Sequence, residues 1–133
     1  MAELRIGLLG AGTMGAAHAA AYADVADASV VGVFSRDSTR ARAVAAMRKA
    51  EAFADATALI EHDGIDAIDV CLPSALHHDV VVRALAAGKH VFCESPLALD
   101  LDEAQRMKDA ARRADRLLPV SYTHLTLPTI LRV

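Results

Sequence analysis

An α/β domain with a doubly wound parallel sheet is the fold class that this 133-residue sequence predicts. Three observations carry the prediction. Apolar, strand-like runs alternate with helix-like segments along the chain. Those runs are apolar throughout rather than at every second position, as strands covered on both faces are. A glycine turn, Gly10-Ala11-Gly12-Thr13-Met14-Gly15, joins the first strand to the first helix.

The elements follow in order. Residues 5–9, with the apolar run Ile6–Leu9, read as a strand, and the alanine-rich segment 14–23 after the glycine turn reads as a helix. Residues 29–34, Ser-Val-Val-Gly-Val-Phe, are β-branched and apolar and form a second buried strand. Ser38-Thr39 offers a cap for a helix running to Lys49. Residues 51–53 suit a short third strand, and 56–62 a short helix ended by Asp63-Gly64. Residues 67–72 form a fourth strand stopped by Pro73, and the amphipathic stretch 76–87 closes on Gly88, a natural helix C-cap. Residues 90–93 give a fifth strand. Asp100 or Asp102 caps a helix that runs to Arg113, where Arg112, Arg113 and Arg116 suit the negative end of the dipole. Residues 117–120 give a sixth strand. The tail, Ser121-Tyr122-Thr123-His124-Leu125-Thr126-Leu127-Pro128-Thr129, departs from the composition before it, since alanine vanishes and polar β-branched residues crowd in. It resembles the translation of a sequencing-library adapter, so residues 1–119 are expected to form the domain and 120–133 a non-native tail.

The bulk numbers narrow the function. The length suits one domain with a real core. A net charge of −3 gives no electrostatic reason to expect nucleic acid or an anionic membrane surface as partner. Glycines and charges break every candidate for an apolar run of about 18 residues, so no membrane span is expected. Residues 1–5 run straight into the first strand and leave no room for a signal peptide, which makes the cytoplasm the default address. Cys71 and Cys93 each end an apolar run without metal-like spacing and read as buried, reduced thiols.

The glycine turn is where chemistry enters. The first glycine permits a tight turn out of the strand, and the second lets backbone N–H groups approach a pyrophosphate. The third lets the helix pack closely, with its positive N-terminus toward the phosphates. That is the logic of a Rossmann dinucleotide-binding domain, with Gly10, Gly12, Thr13, Met14 and Gly15 at the diphosphate. Ligands on such sheets bind beyond the carboxyl ends of the strands, which directs attention to the residues after Leu9, Phe34, Cys71 and Cys93. After the second strand, an acidic residue suits the adenosine ribose hydroxyls and an arginine suits a 2′-phosphate. This chain carries Ser35 and Arg36 there, with Arg40 one helical turn on, so NADP is favoured over NAD. The competing reading makes Arg36 and Arg40 ordinary solvated residues at a helix start.

Two later segments carry a resemblance. Asp66-Ala67, Pro73 and His77 form one pattern, and Gly88-Lys89-His90-Val91 followed by Glu94, Pro96, Leu97 and Ala98 forms another. Together with Gly10, Gly12 and Gly15 they resemble the N-terminal half of the glucose–fructose oxidoreductase / inositol dehydrogenase (Gfo/Idh/MocA) family, up to about Pro119. The resemblance implies that Cys71, Leu72, Pro73, His77, Glu94, Ser95 and Pro96 line the ribose and nicotinamide side of the cofactor. It implies hydride transfer between nicotinamide and a sugar, cyclitol or related polyol. The substrate half would lie downstream in a homo-oligomeric parent, so this chain would bind dinucleotide without turnover. No metal is implied.

One departure stands out. The family places a catalytic lysine between the Glu and Pro of the second motif, and this chain has Ser95. A hydroxyl can hydrogen-bond a substrate but cannot serve as a cationic acid. Lys89 precedes the strand, at the wrong end of the sheet to replace it. His77 is a weak candidate for the proton transfer; a histidine that contacts only cofactor or backbone is the simpler reading. His78 is expected on the surface, and His18, His62 and His90 show no ligand spacing with a carboxylate or cysteine. Asp66 and Asp69 are expected to face solvent or cap. No residue is therefore assigned as catalytic, and an inactive NAD(P)-binding sensor or scaffold is the alternative function.

Overall fold

Six strands and five α-helices alternate along residues 3–94 and 97–121, the part of the chain that the computed structural model describes. The strands are β1 (Leu4–Leu9), β2 (Ala28–Phe34), β3 (Glu51–Ala52), β4 (Ala67–Val70), β5 (His90–Glu94) and β6 (Val120–Ser121). The helices are α1 (Thr13–Ala21), α2 (Ser38–Arg48), α3 (Ala56–Glu61), α4 (His77–Ala86) and α5 (Leu101–Ala114). All pairings are parallel, in the order β3-β2-β1-β4-β5-β6. The order runs one way from β1 and the other way from β4, so a crevice opens between their carboxyl ends, where open sheets of this kind bind ligands.

Each strand contributes to two cores by its period of two. Ile6, Leu8, Val30, Val33, Ala67 and Phe92 face α1 and α2, together with Tyr22, Ala41 and Val44. Leu9, Ile68, Val70, Val91 and Cys93 face the opposite way, against α3, α4 and α5 through Leu59, Ile60, Val81, Leu85 and Met107. Each fully buried Leu, Ile or Met side chain contributes roughly 1.5–3 kcal/mol. The doubly wound fold class holds, with helices on both faces.

Local chemistry fixes the helix starts. Asp37 caps α2 by accepting from the Thr39 and Arg40 amides, at 3.0 and 3.2 Å, in place of the expected Ser38-Thr39. Its carboxylate offers two acceptor oxygens one position earlier, outside the helix, where a cap belongs. Asp55 caps α3 and Asp100 caps α5, each by accepting one amide at 2.8 Å. Glu103 reaches back to the Leu99 amide at 3.3 Å, close to a capping box. Ala87 is the C-cap of α4, and Gly88 just beyond turns the chain away at φ +86°.

Two strands depart from expectation by more than one residue. β4 closes at Val70, two residues short of the predicted Leu72. The predicted sixth strand does run beside β5, because Val91 and Cys93 donate to the Leu117 and Pro119 carbonyls, but the strand itself is assigned only at Val120–Ser121. The tail beyond Ser121 lies outside the described residues, as do Ser95 and Pro96.

Candidate functional site

At the carboxyl end of β1 the chain turns through Gly10, whose φ is +105°. A Cβ there would overlap the Cys71 carbonyl oxygen, so both backbone and space require glycine. The Gly10 amide donates to the Phe34 carbonyl at 2.9 Å, and the Cys71 amide to the Leu9 carbonyl at 2.8 Å, which ties the turn to β2 and β4. A Cβ on Gly15 would overlap the Gly10 carbonyl oxygen, so the third glycine is what lets α1 approach the turn.

Gly12 differs from both. Its φ of −78° is open to any residue, and a Cβ built on it meets nothing within 4 Å. Neither backbone nor packing asks for glycine at this position. It is the N-cap of α1, and it supplies no side-chain cap; the first turn carries no acidic residue. The first amides of α1 therefore face an open cradle with the positive end of the helix dipole behind them. Such an uncapped start with free space before it is the kind of place that takes an anion. Thr13 and Met14, in the same turn, are exposed.

The tip of β2 forms the adjoining wall. Ser35 Oγ accepts from the Asp37 amide at 3.2 Å, and Arg40 Nε sits 3.7 Å from Asp37 Oδ2. Arg36 and Arg40 are exposed at the start of α2. The Arg40–Asp37 contact is a surface ion pair, a type worth little in stability.

On the other side, Leu72 and Pro73 follow β4, and Glu94 ends β5. His77 lies beneath these loops at 1% exposure. Its Nδ1 is 3.0 Å from the Leu97 carbonyl, its Nε2 is 2.7 Å from the Leu72 carbonyl, and Cys93 Sγ lies 3.1 Å from Nδ1. The ring staples the two loops together and is committed to main chain. His78 is partly covered, with Nδ1 3.1 Å from Asp79. Lys89 is buried at the amino end of the sheet, where Nζ donates to the His62 and Ile65 carbonyls, both at 2.6 Å.

One expectation is overturned, and the fold joins residues that the sequence spacing keeps apart. Asp69 neither faces solvent nor caps a helix: it is 1% exposed beneath α1. His18, which shows no ligand spacing with a carboxylate or cysteine in the sequence, has Nδ1 2.8 Å from Asp69 Oδ2 and Nε2 2.7 Å from Glu94 Oε1. Tyr22 donates to Asp69 Oδ2 at 3.0 Å, and Cys71 Sγ lies 3.3 Å from His18 Nδ1 and 3.5 Å from Asp69 Oδ1. His18, Asp69 and Cys71 thus bring ligand-type atoms within 4.8 Å of one another. The close separations are hydrogen-bond distances, and the cluster reads as a network that holds protons. Asp66 is also paired, bidentate to Arg5 at 2.9 and 3.0 Å, and the guanidinium holds its carboxyl below the ordinary 3.8.

Parity explains the cluster. Ala67, Asp69 and Cys71 alternate on one face of β4 and its continuation, and Phe92 and Glu94 on the same face of β5. On α1, the buried Gly15, His18 and Ala19 follow helical spacing, and the buried Tyr22 continues it just past the helix end. Burial pulls the His18 imidazolium down, and the Asp69 and Glu94 carboxylates outweigh it, so its pKa rises above 6.5. Burial pushes the Cys93 thiol up to about 12 and the Cys71 thiol well above its ordinary value, so both stay protonated and neither is a ready nucleophile. Both are free cysteines, Cys93 buried and Cys71 partly so.

Residues 4–122 match the family described as "Oxidoreductase family, NAD-binding Rossmann fold" (GFO_IDH_MocA). The chain belongs to this Gfo/Idh/MocA family. It is 37% identical over 119 residues to an inositol 2-dehydrogenase of Klebsiella pneumoniae, covering 87% of this chain and 35% of that protein. It is similar to a 3-ketoreductase from Actinomadura kijaniata solved with NADP and TDP-benzene, with TM-score 0.85, 33% identity, and coverage of 90% of this chain and 37% of that one. It is also similar to the WlbA dehydrogenase from Chromobacterium violaceum solved with NADH and UDP-GlcNAcA, with TM-score 0.86, 26% identity, and coverage of 91% and 35%. The chain spans about a third of the length of the curated relatives it matches. Among the described residues no helix is long and apolar enough to cross a membrane.

Proposed function

We propose that this chain is the cofactor-binding half of an NAD(P)-dependent oxidoreductase whose substrate is a sugar, cyclitol or related polyol. The observation that carries the reading is Gly12, a glycine that neither its backbone nor its neighbours require, at the uncapped start of α1. Its natural occupant is a diphosphate in contact with the amides of Thr13, Met14 and Gly15. The bound nicotinamide would carry hydride to or from a secondary alcohol carbon. Ser35, Arg36 and Arg40 would receive the adenosine end, and their charge and hydroxyl donors favour NADP over NAD. Leu72, Pro73, Glu94, Ser95 and Pro96 would border the nicotinamide end, with His77 and Cys71 supporting them from below. On this reading residues 1–119 carry the native domain, the residues after them are of adapter origin although Val120–Ser121 pair with β5, and the chain binds coenzyme without turning over.

Titration of the purified chain with NADPH and NADH, followed by nicotinamide fluorescence, tests this. Saturable binding of both is expected, tighter for NADPH. Equal affinities would remove the NADP preference, and a flat response to both would overturn the assignment. Ser95 at the family's lysine position favours a second reading, a sensor that binds dinucleotide and lacks chemistry. Ser95→Lys in a chain extended by a substrate half separates the two: gain of polyol oxidation marks an enzyme weakened at one residue, and continued silence marks a sensor.

A further inference from the structure

The buried cluster under α1 has no part in holding the diphosphate, yet it touches the cofactor cleft through Glu94. His18 contacts two carboxylates with its two ring nitrogens, at 2.8 and 2.7 Å. A carboxylate oxygen accepts, so the ring serves both partners only by donating from both nitrogens. Asp69 is the fixed end of the bridge. It is 1% exposed and also receives the Tyr22 hydroxyl at 3.0 Å. Glu94 is the free end, the last residue of β5, with its side chain 13% exposed.

We propose that His18 is a positioning residue which, by bridging Asp69 and Glu94 as a doubly protonated ring, aims the Glu94 carboxylate at the ribose on the nicotinamide side of the cleft. This rests on the dinucleotide reading above. Three elements meet at the ring: α1 supplies it, β4 supplies Asp69 and, just past its end, Cys71, and β5 supplies Glu94. The Cys71 thiol is neutral, since burial raises its pKa well above the ordinary value, so the charges facing the ring are the two carboxylates alone among the described residues. One cation between two anions lets both carboxylates stay close without repulsion, while a short bond to Glu94 Oε1 leaves Oε2 to meet a ribose hydroxyl. Removing the ring would release Glu94 from its anchor and set it against Asp69.

The test compares two ligands that share an adenosine 5′-diphosphate, ADP and NADPH, which adds the 2′-phosphate and the nicotinamide ribose, on the wild-type chain, His18→Gln, Glu94→Gln and the double variant. His18→Gln should weaken NADPH roughly tenfold, the worth of one charge-assisted hydrogen bond, and leave ADP within about twofold. The double variant should be no weaker than Glu94→Gln alone. Equal losses for ADP and NADPH, or additive losses in the double variant, would overturn the proposal, because a purely structural histidine acts on the whole cleft. Nitrogen NMR of the wild-type ring through a pH titration is a readout that no variant's folding can confuse. The ring is expected to hold both protons past the ordinary histidine value of 6.5, and loss of one at or below it would sink the idea. The ratio of NADPH to ADP affinity should be constant below about pH 6.5 and fall as the pH climbs through the raised His18 value. Failure of wild type to bind ADP would count against the dinucleotide reading itself, a result separate from the NMR outcome.

Discussion

The starts of α1 and α5 are built to opposite designs. At α5, Asp100 accepts the Glu103 amide at 2.8 Å and Glu103 returns a bond to the Leu99 amide, so the helix satisfies its own first turn. At α1, Gly12 provides no side-chain cap and no acidic residue follows in the first turn. Both helices need anions at their amino ends for the same reason, aligned peptide dipoles and unpaired N–H groups. One carries its anion covalently, and the other leaves the place for a guest. The difference separates residues kept for folding from residues kept for binding.

Three substitutions sharpen that contrast. The largest effect is expected at Gly15→Ala, whose Cβ would run into the Gly10 carbonyl oxygen. Overpacking against main chain, less the gain in helix propensity, should cost about 2 kcal/mol, read by urea denaturation. Gly12→Ala should do the reverse. Its Cβ meets nothing in the protein, so stability should hold or rise slightly, while NADPH affinity falls about tenfold in a fluorescence titration. If affinity is retained, the cradle is not where the phosphates sit. Asp100→Ala should cost about 1 kcal/mol of stability and leave NADPH affinity unchanged. A loss of affinity there would show that the two helix starts are coupled and the contrast is false.

The fold is legible in the sequence because its signals are local. Continuous apolar runs, a glycine turn and helix-period alanines mark strands and helices without reference to partners, and strand–helix alternation leaves few topologies. The departures are local too. Asp37, Ser38 and Thr39 can each cap, and only geometry chooses Asp37. The glycine turn, the proposed diphosphate site, is legible for the same reason, since one short segment contains the whole device. The His18 cluster is not, because its members are separated by 51 and 76 positions in sequence and meet only when α1 is laid over β4 and β5. A signal is present in the periods: Asp69 shares strand parity with Ala67 and Cys71, Glu94 shares it with Phe92, and Tyr22 follows His18 by four, a helical turn. A solvent-facing Asp69 is at odds with the apolar neighbours on both sides of it in the strand. A carboxylate inside such a run needs a buried partner.

That same two-residue rhythm makes β4 intolerant of a change in length. Deleting one residue between Ala67 and Asp69 would rotate the carboxylate to the opposite side of the sheet, into the apolar core of Leu59, Val81 and Met107 and away from His18 and Tyr22. Glu94 would keep its histidine and lose the anchor behind it. Insertions and deletions in homologous chains should therefore spare this strand and collect in the loops that frame it.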